Sequence, residues 1–347
     1  MSQNNQGANY RGQMDEIAEV LMWPTKIVQC IQVFNGEEFI EYVLKSIYNA
    51  VDHIRIVEGA VKNQVGATKD GHSTDKTVEI IKRFIKESDP GKKVRLIQIK
   101  RPYENLEEMK QTFLDYAVPG EWLLINDVDE FYREEDIHLL RRAIYYQPLA
   151  SEFVPLFLHF YRDCVHIAKP EHEWQPQHQR FFRFVKGMKY NAHPIVTDHM
   201  NHCTYYAVHY QHRRFVVKDW YVWHYGYARE NMDKVMMDKK TYYEKELSKH
   251  AGADKPFDEK ANLFLNRGED LGDFLSYNIA LHPEVLKNHP MMKFRDEQWS
   301  GLIFDPWHKA EPYCLEEIPN IWLWMTGANP RMPFYSNQIT LDELKEL

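Results

Sequence analysis

At 347 residues the chain has room for two average domains, or for one α/β domain with a C-terminal elaboration, so a large buried core is available to it. A net charge of -8 excludes the basic footprint of a strong duplex nucleic-acid binder, and no apolar run reaches the length of a membrane span. The four cysteines, Cys30, Cys164, Cys203 and Cys314, lie far apart without a CxxC pair, which excludes a zinc ribbon or a dense disulfide framework and points to a reducing, cytoplasmic setting.

Residues 1–22 read as a flexible polar arm without a signal-peptide-like apolar run. A strand is expected over 26–34, where Ile27, Val28, Ile31 and Val33 lead to a stop at Asn35-Gly36. Phe39, Ile40, Val43, Leu44 and Ile47 then recur at helical spacing, and a second strand over 54–57 follows the Asp52-His53 break. The polar loop 62–72 ends at Ser73-Thr74-Asp75, where a Ser73 or Thr74 hydroxyl can cap the helix carrying Val78, Ile80, Ile81 and Phe84. A third strand over 94–99, a helix with Leu106, Met109, Phe113 and Tyr116, and a short apolar strand over 122–125 continue the alternation. Strands alternating with helices predict an α/β fold with a mostly parallel sheet, whose ligands gather at the carboxyl ends of the strands. Beyond residue 135 the pattern predicts a helix over 137–146, strand-like runs at 153–160, 180–185 and 215–217, and a helix over 231–247. The tail from 255 carries Trp299, Trp307, Trp322 and Trp324 without clear periodicity, and the chain has no internal repeat.

Asn126-Asp127-Val128-Asp129-Glu130 directly follows the 122–125 strand. Two carboxylates one residue apart offer a hard divalent cation two oxygen donors and leave positions for diphosphate oxygens. An isolated Asp-x-Asp is equally at home in a solvated loop. Here Trp122 and Leu124 before it and Phe131-Tyr132 after it hold the acids near buried surface, where their mutual repulsion calls for a cation. Arg180 and Arg183, alternating with Phe181, Phe182 and Phe184, are candidates to contact phosphate oxygens or an acidic acceptor, and equally describe the polar face of a half-buried strand. Trp220, Tyr221, Trp223, Tyr225 and Tyr227 suit sugar-ring platforms as well as core packing. His199, His202, His209 and His212 lack the i,i+4 pairing with an acid that marks zinc proteases.

Taken together, Phe34-Asn35-Gly36-Glu37-Glu38, Ile56-Val57-Glu58-Gly59, Ser73-Thr74-Asp75-Lys76-Thr77 and Asp127-Val128-Asp129-Glu130-Phe131 resemble, in order and spacing, glycosyltransferase family 2 and its relatives with the GT-A fold. The resemblance covers about residues 26–250, and Arg180-Phe181-Phe182-Arg183, His193 and His224-Tyr225-Gly226-Tyr227 are similar to the later half of such enzymes. It implies a GT-A-like, Rossmann-like mixed sheet flanked by helices, with a helical or irregular C-terminal elaboration. The implied organisation is an arm over 1–22, a domain over 23–250 with a nucleotide-sugar half (23–133) and an acceptor half (134–250), and an extension over 251–347 packing on that domain.

The resemblance further implies that Phe34, Asn35 and Glu58 contact the nucleoside and that Asp75 lies near the same pocket. Asp127 would serve substrate and metal, with Asp129 and His224 as the other metal ligands. An imidazole ligand favours Mn2+ over Mg2+. One departure concerns His193-Pro194, where similar enzymes often have His-Glu, so the base for the acceptor proton falls to His193, Asp198 or Asp219, in that order. Inverting and retaining outcomes both stay open. The expected function is transfer of a sugar from a nucleoside-diphosphate sugar, UDP foremost, to an acceptor that the sequence does not name. Two other classes stay in view: a nucleotidyltransferase or phosphohydrolase using the same acids and metal, and a non-catalytic nucleotide- or glycan-binding module.

Overall fold

The computed structural model describes residues 25–168 except 63 and 149, together with 180–192, 195–197, 214–229, 274–276, 279–294 and 336–339. Strands β1 (Ile27–Val33), β2 (His53–Glu58), β3 (Val94–Gln98) and β4 (Trp122–Asp127) alternate with helices α1 (Ile40–Ser46), α2 (Thr77–Glu87) and α3 (Leu106–Asp115). They pair in parallel in the order β3-β2-β1-β4. Next come β5 (Glu130–Phe131), α4 (Glu134–Tyr146), β6 (Glu152–Tyr161), β7 (His166–Ala168), β8 (Phe181–Arg183), β9 (Lys189–Ala192), β10 (Ile195–Thr197), β11 (Arg214–Tyr227), β12 (Phe274–Ser276) and β13 (Ser336–Ile339). Because β8 is antiparallel to both β4 and β6, β6 runs with the first four strands; β11 then adds in parallel to β6 and antiparallel to β5. The result is the α/β, mostly parallel mixed sheet flanked by helices that the sequence predicts.

Strand alternation distributes the core between the two faces. Ile27, Ile31 and Val33 of β1 and Trp122 and Leu124 of β4 pack with Ile40, Val43 and Leu44 of α1 and Ile137, Leu140 and Ile144 of α4. Val28, Cys30, Leu123 and Ile125 face the other way, onto Met109 and Phe113 of α3. Burying an aliphatic or aromatic side chain of this kind contributes roughly 1.5–3 kcal/mol relative to exposure, so these two layers hold the sheet edges in place. α3 begins with Asn105 accepting from Glu108 N at 2.8 Å, while Glu108 reaches back to accept from Glu104 N at 2.6 Å. Two otherwise orphaned amides are satisfied there.

The start of α2 differs from expectation. Neither Ser73 nor Thr74 caps it; Asp75 Oδ1 accepts from Thr77 N at 2.9 Å, and Ser73 Oγ accepts from Asn35 N at 2.9 Å. The Ser73 hydroxyl is drawn to the β1 loop because that loop's own amide, turned out of the strand, needs an acceptor. The run expected at 215–217 is the beginning of the 14-residue β11, which continues past a register shift between Val216 and Tyr221 to Tyr227.

Within 251–347, β12 pairs with β7 and β13 with β11. Residues 279–294 lie over α1: Leu286, Met291 and Met292 are buried, and the His289 ring stacks on Phe39 at 5.2 Å. The arm over 1–22, the helix expected over 231–247, the four histidines from His199 to His212 and the tail tryptophans lie outside the described residues. Among the described residues no helix is long and apolar enough to cross a membrane.

Candidate functional site

The carboxyl ends of β1, β2 and β4 meet at one edge of the sheet, since Val33 pairs with Glu58 and Gln32 with Asp127. On the β2 side the polar groups satisfy one another. Glu58 is fully buried; its Oε1 accepts from Ser73 N at 2.7 Å, and its Oε2 accepts from Gln98 Nε2 at 2.6 Å and lies 2.9 Å from His72 Nδ1. Asn35, with φ of 48°, offers its side-chain oxygen to Thr74 N at 2.9 Å. Asp75 Oδ2 accepts from Glu37 N at 3.0 Å, and Thr77 Oγ1 from Gly36 N at 2.8 Å. A buried carboxylate needs such donors. Glu58 thus anchors the loop after β2, Asp75 ties that loop to the one after β1, and half-buried His72 and exposed Gln98 both lie against Glu58 Oε2. Phe34 is half-buried beside this loop.

On the β4 side charge is concentrated. Asp127, the last residue of β4, touches Gln32 Nε2 through Oδ1 and stands 3.2 Å from Arg180 through Oδ2. Arg180 also grips Glu130 with two bonds of 2.6 and 2.9 Å, and both residues are buried. The cation that the buried acids require is therefore supplied here by Arg180, whose guanidinium fork matches a carboxylate. Burial pushes Glu130 up to about 8 while Arg180 pulls against it. For Arg180, burial acts to lower the pKa, but Glu130 and Asp127 outweigh it and the pKa is raised. Lys110 on α3 is also buried: desolvation brings it down to about 8, opposed by the charge of Asp127. Among the described residues the Lys110 ammonium forms no side-chain hydrogen bond or ion pair within 4.0 Å.

Asp129, in the turn between β4 and β5, meets the end of β11. Its Oδ1 lies 3.8 Å from His224 Nε2, and its Oδ2 lies 3.3 Å from Arg229, whose guanidinium also covers the Phe39 ring at 5.0 Å. The backbone fixes this meeting: Tyr225 N donates to Asp129 O at 2.9 Å, and His224 pairs with Glu130 across β5 and β11. Gly226 is required between the two side chains, because a Cβ there would lie 2.7 Å from both Asp129 Oδ2 and His224 Nε2. A carboxylate oxygen and an imidazole nitrogen suit Mn2+. Two ligands of one cation, each about 2.1 Å from it, can stand up to about 4.2 Å apart, so the 3.8 Å separation fits a shared ion. Among the described residues no group of three or more His, Cys, Asp or Glu converges on a metal position. The donor pair fits a cation completed by ligand or water oxygens, while Asp127 is turned to Arg180 and Gln32.

Of the other residues singled out by sequence, Arg183 pairs with Trp122 at the opposite end of β4 and lies over that indole at 5.1 Å, away from the acids. Asp219 is five positions before His224 on β11, in the stretch where the register against β6 shifts between Val216 and Tyr221. His193 and Asp198 lie outside the described residues. Sequence reasoning missed Gln32, His72, Lys110, Glu130, His159 and Arg229 as members of the site. Glu130 was within reach, since it adjoins the Asp-x-Asp triplet; the others depend on pairings distant in sequence.

No protein-family model matches the chain. No curated protein matches it either. Among solved structures, TarS 1-349 from S. aureus is 14% identical, with 71% of this chain and 74% of that chain covered and a TM-score of 0.35. Glucosyl-3-phosphoglycerate synthase from Mycobacterium tuberculosis, in complex with Mn2+, UDP and glucosyl-3-phosphoglycerate, is 19% identical over 43% of this chain and 48% of that chain, with a TM-score of 0.26. Mannose-6-phosphate isomerase from Helicobacter pylori is 14% identical over 46% and 61% of the two chains, with a TM-score of 0.28. The chain thus spans about half the length of the synthase. These are remote similarities, and the functional reading rests on the geometry of the site itself.

Proposed function

We propose that this protein is a glycosyltransferase of the GT-A kind, transferring a sugar from a nucleoside-diphosphate sugar, UDP-sugar foremost, with a divalent cation held by Asp129 and His224. The observation that carries the reading is this pair: a carboxylate and an imidazole, aligned by β-pairing at the ligand-binding edge of a parallel sheet, spaced for a shared ion and separated by a glycine that keeps the space between them open. The ordered family-2-like motifs agree with it. When bound, Mn2+ or Mg2+ would offset the charge that develops on the leaving diphosphate.

The chain's own residues divide the remaining work. Arg180 and Glu130 fix Asp127 at the rim, where its partly exposed carboxylate can accept from ribose hydroxyls. Phe34, Asn35 and His72 form the edge that faces the nucleoside, with Glu58 and Asp75 holding that edge from behind. The acceptor proton falls to His193, Asp198 or Asp219, in that order.

The test is hydrolysis across a panel of nucleotide sugars, with Mn2+, Mg2+ or chelator, for the wild type beside Asp129→Asn. Slow release of one nucleoside diphosphate, lost with chelator and in the variant, is the expected outcome. Release of phosphate or pyrophosphate would move the protein to the phosphohydrolase or nucleotidyltransferase class; release indifferent to both cation and Asp129 would overturn the metal-dependent reading.

A further inference from the structure

His224 and His159 stand opposite each other in register on the parallel strands β11 and β6, and their Nδ1 atoms are 2.9 Å apart. At that distance one ring must donate an N–H to the lone pair of the other. The hydrogen has two placements, and they leave His224 in different forms. If His159 donates, neutral His224 carries its own hydrogen on Nε2, pointing toward Asp129. If His224 donates, its Nε2 presents a lone pair on the side where Asp129 Oδ1 lies 3.8 Å away, too far for a hydrogen bond.

We propose that His159 is a positioning residue: it accepts the hydrogen on His224 Nδ1 and so fixes the tautomer whose Nε2 ligates the divalent cation. This rests on the reading of Asp129 and His224 as cation ligands. The His159 ring is itself held in place, stacked on Phe157 at 5.3 Å with an interplanar angle of 18°, and meets the His224 ring edge-on at 4.9 Å. A ligating histidine ordinarily directs its second nitrogen to a carboxylate, carbonyl or water. A neutral imidazole acceptor performs the same orientation without a further negative charge in a site that already contains Asp127, Asp129 and Glu130.

The experiment is a Mn2+ titration in the presence of UDP, read by the loss of the free-ion electron paramagnetic resonance signal, on the wild type, His159→Phe, His159→Asn and His224→Ala. His159→Phe keeps an aromatic ring against Phe157 but has no acceptor, and it should weaken Mn2+ binding about tenfold or more. His159→Asn, whose amide oxygen can accept, should stay much nearer the wild type. Wild-type affinity in His159→Phe, with affinity lost in His224→Ala, would overturn the role of His159 and leave the cation site standing. Unchanged affinity in His224→Ala would overturn the cation site and the proposal with it. Independently of any variant, imidazole nitrogen–hydrogen correlation spectra of the Mg2+-loaded wild type should place the His224 hydrogen on Nδ1; a hydrogen on Nε2 would contradict the proposal.

Discussion

Glu58 and Asp129 lie at the same edge of the sheet, at the end of β2 and just past the end of β4, and their surroundings are opposite. Glu58 is surrounded by donors at 2.6, 2.7 and 2.9 Å, all from the protein. Asp129 has its nearest side-chain partners at 3.3 and 3.8 Å, one a guanidinium and the other an imidazole. A strand-end acid is not a binding group by position alone; what distinguishes the two is how much of their hydrogen-bonding and charge capacity the fold has already used. Asp127 stands between them, partly exposed yet gripped by Arg180.

This contrast breaks most visibly at Arg180. Arg180→Met strands Glu130 and Asp127 without their shared counter-charge and should destabilise the fold by about 3–5 kcal/mol, the usual cost of breaking a buried ion pair on one side. Urea denaturation measures it. A loss below about 1 kcal/mol accompanied by weaker nucleotide binding would instead make Arg180 a phosphate contact.

At the β2 end, Glu58→Ala leaves the buried Ser73 amide without its acceptor, at a cost of about 1–3 kcal/mol, while the exposed Gln98 side chain can turn to water. Thermal or urea unfolding should therefore show a loss of about 1–3 kcal/mol. Full stability with reduced UDP affinity would return Glu58 to direct nucleoside contact.

Lys110 sharpens the account of the β4 side. Its pKa falls from 10.5 to about 8 on folding. The unfolded chain thus holds this proton more tightly, so the penalty on the charged form is fully present below about pH 8 and is relieved as pH rises toward 10.5. Wild-type stability should gain up to about 3 kcal/mol relative to Lys110→Met across that window. A gap that does not change with pH would show that Lys110 is not desolvated. The smallest stability effect belongs to Asp129→Asn, within about 1 kcal/mol, because its side chain has only loose protein partners to lose; a loss of several kcal/mol would place Asp129 with Glu58 as a structural acid.

The parts of this molecule legible in the sequence are those set by local pattern. β1 to β4 lie where apolar runs put them, and the acids fall at the end of β4 and just past it, Asp127 closing the strand and Asp129 following in the turn. What the sequence hid depends on register between distant strands. His159 and His224 are 65 positions apart and meet only because β6 and β11 pair in parallel; Arg180 reaches Glu130 only because β8 turns back along β4. The capping role of Asp75 was missed for a similar reason, since Ser73 is occupied by an amide from the β1 loop. The length of β11 was hidden by aromatic residues that serve strand and core alike.

The central claim is that Asp129 and His224 hold the cation on which nucleotide binding depends. Calorimetric titration of UDP into the wild type with Mn2+, the wild type with chelator and Asp129→Asn with Mn2+ tests it most directly. Binding in the first and its loss in the other two is the predicted result; equal binding in all three would contradict the claim.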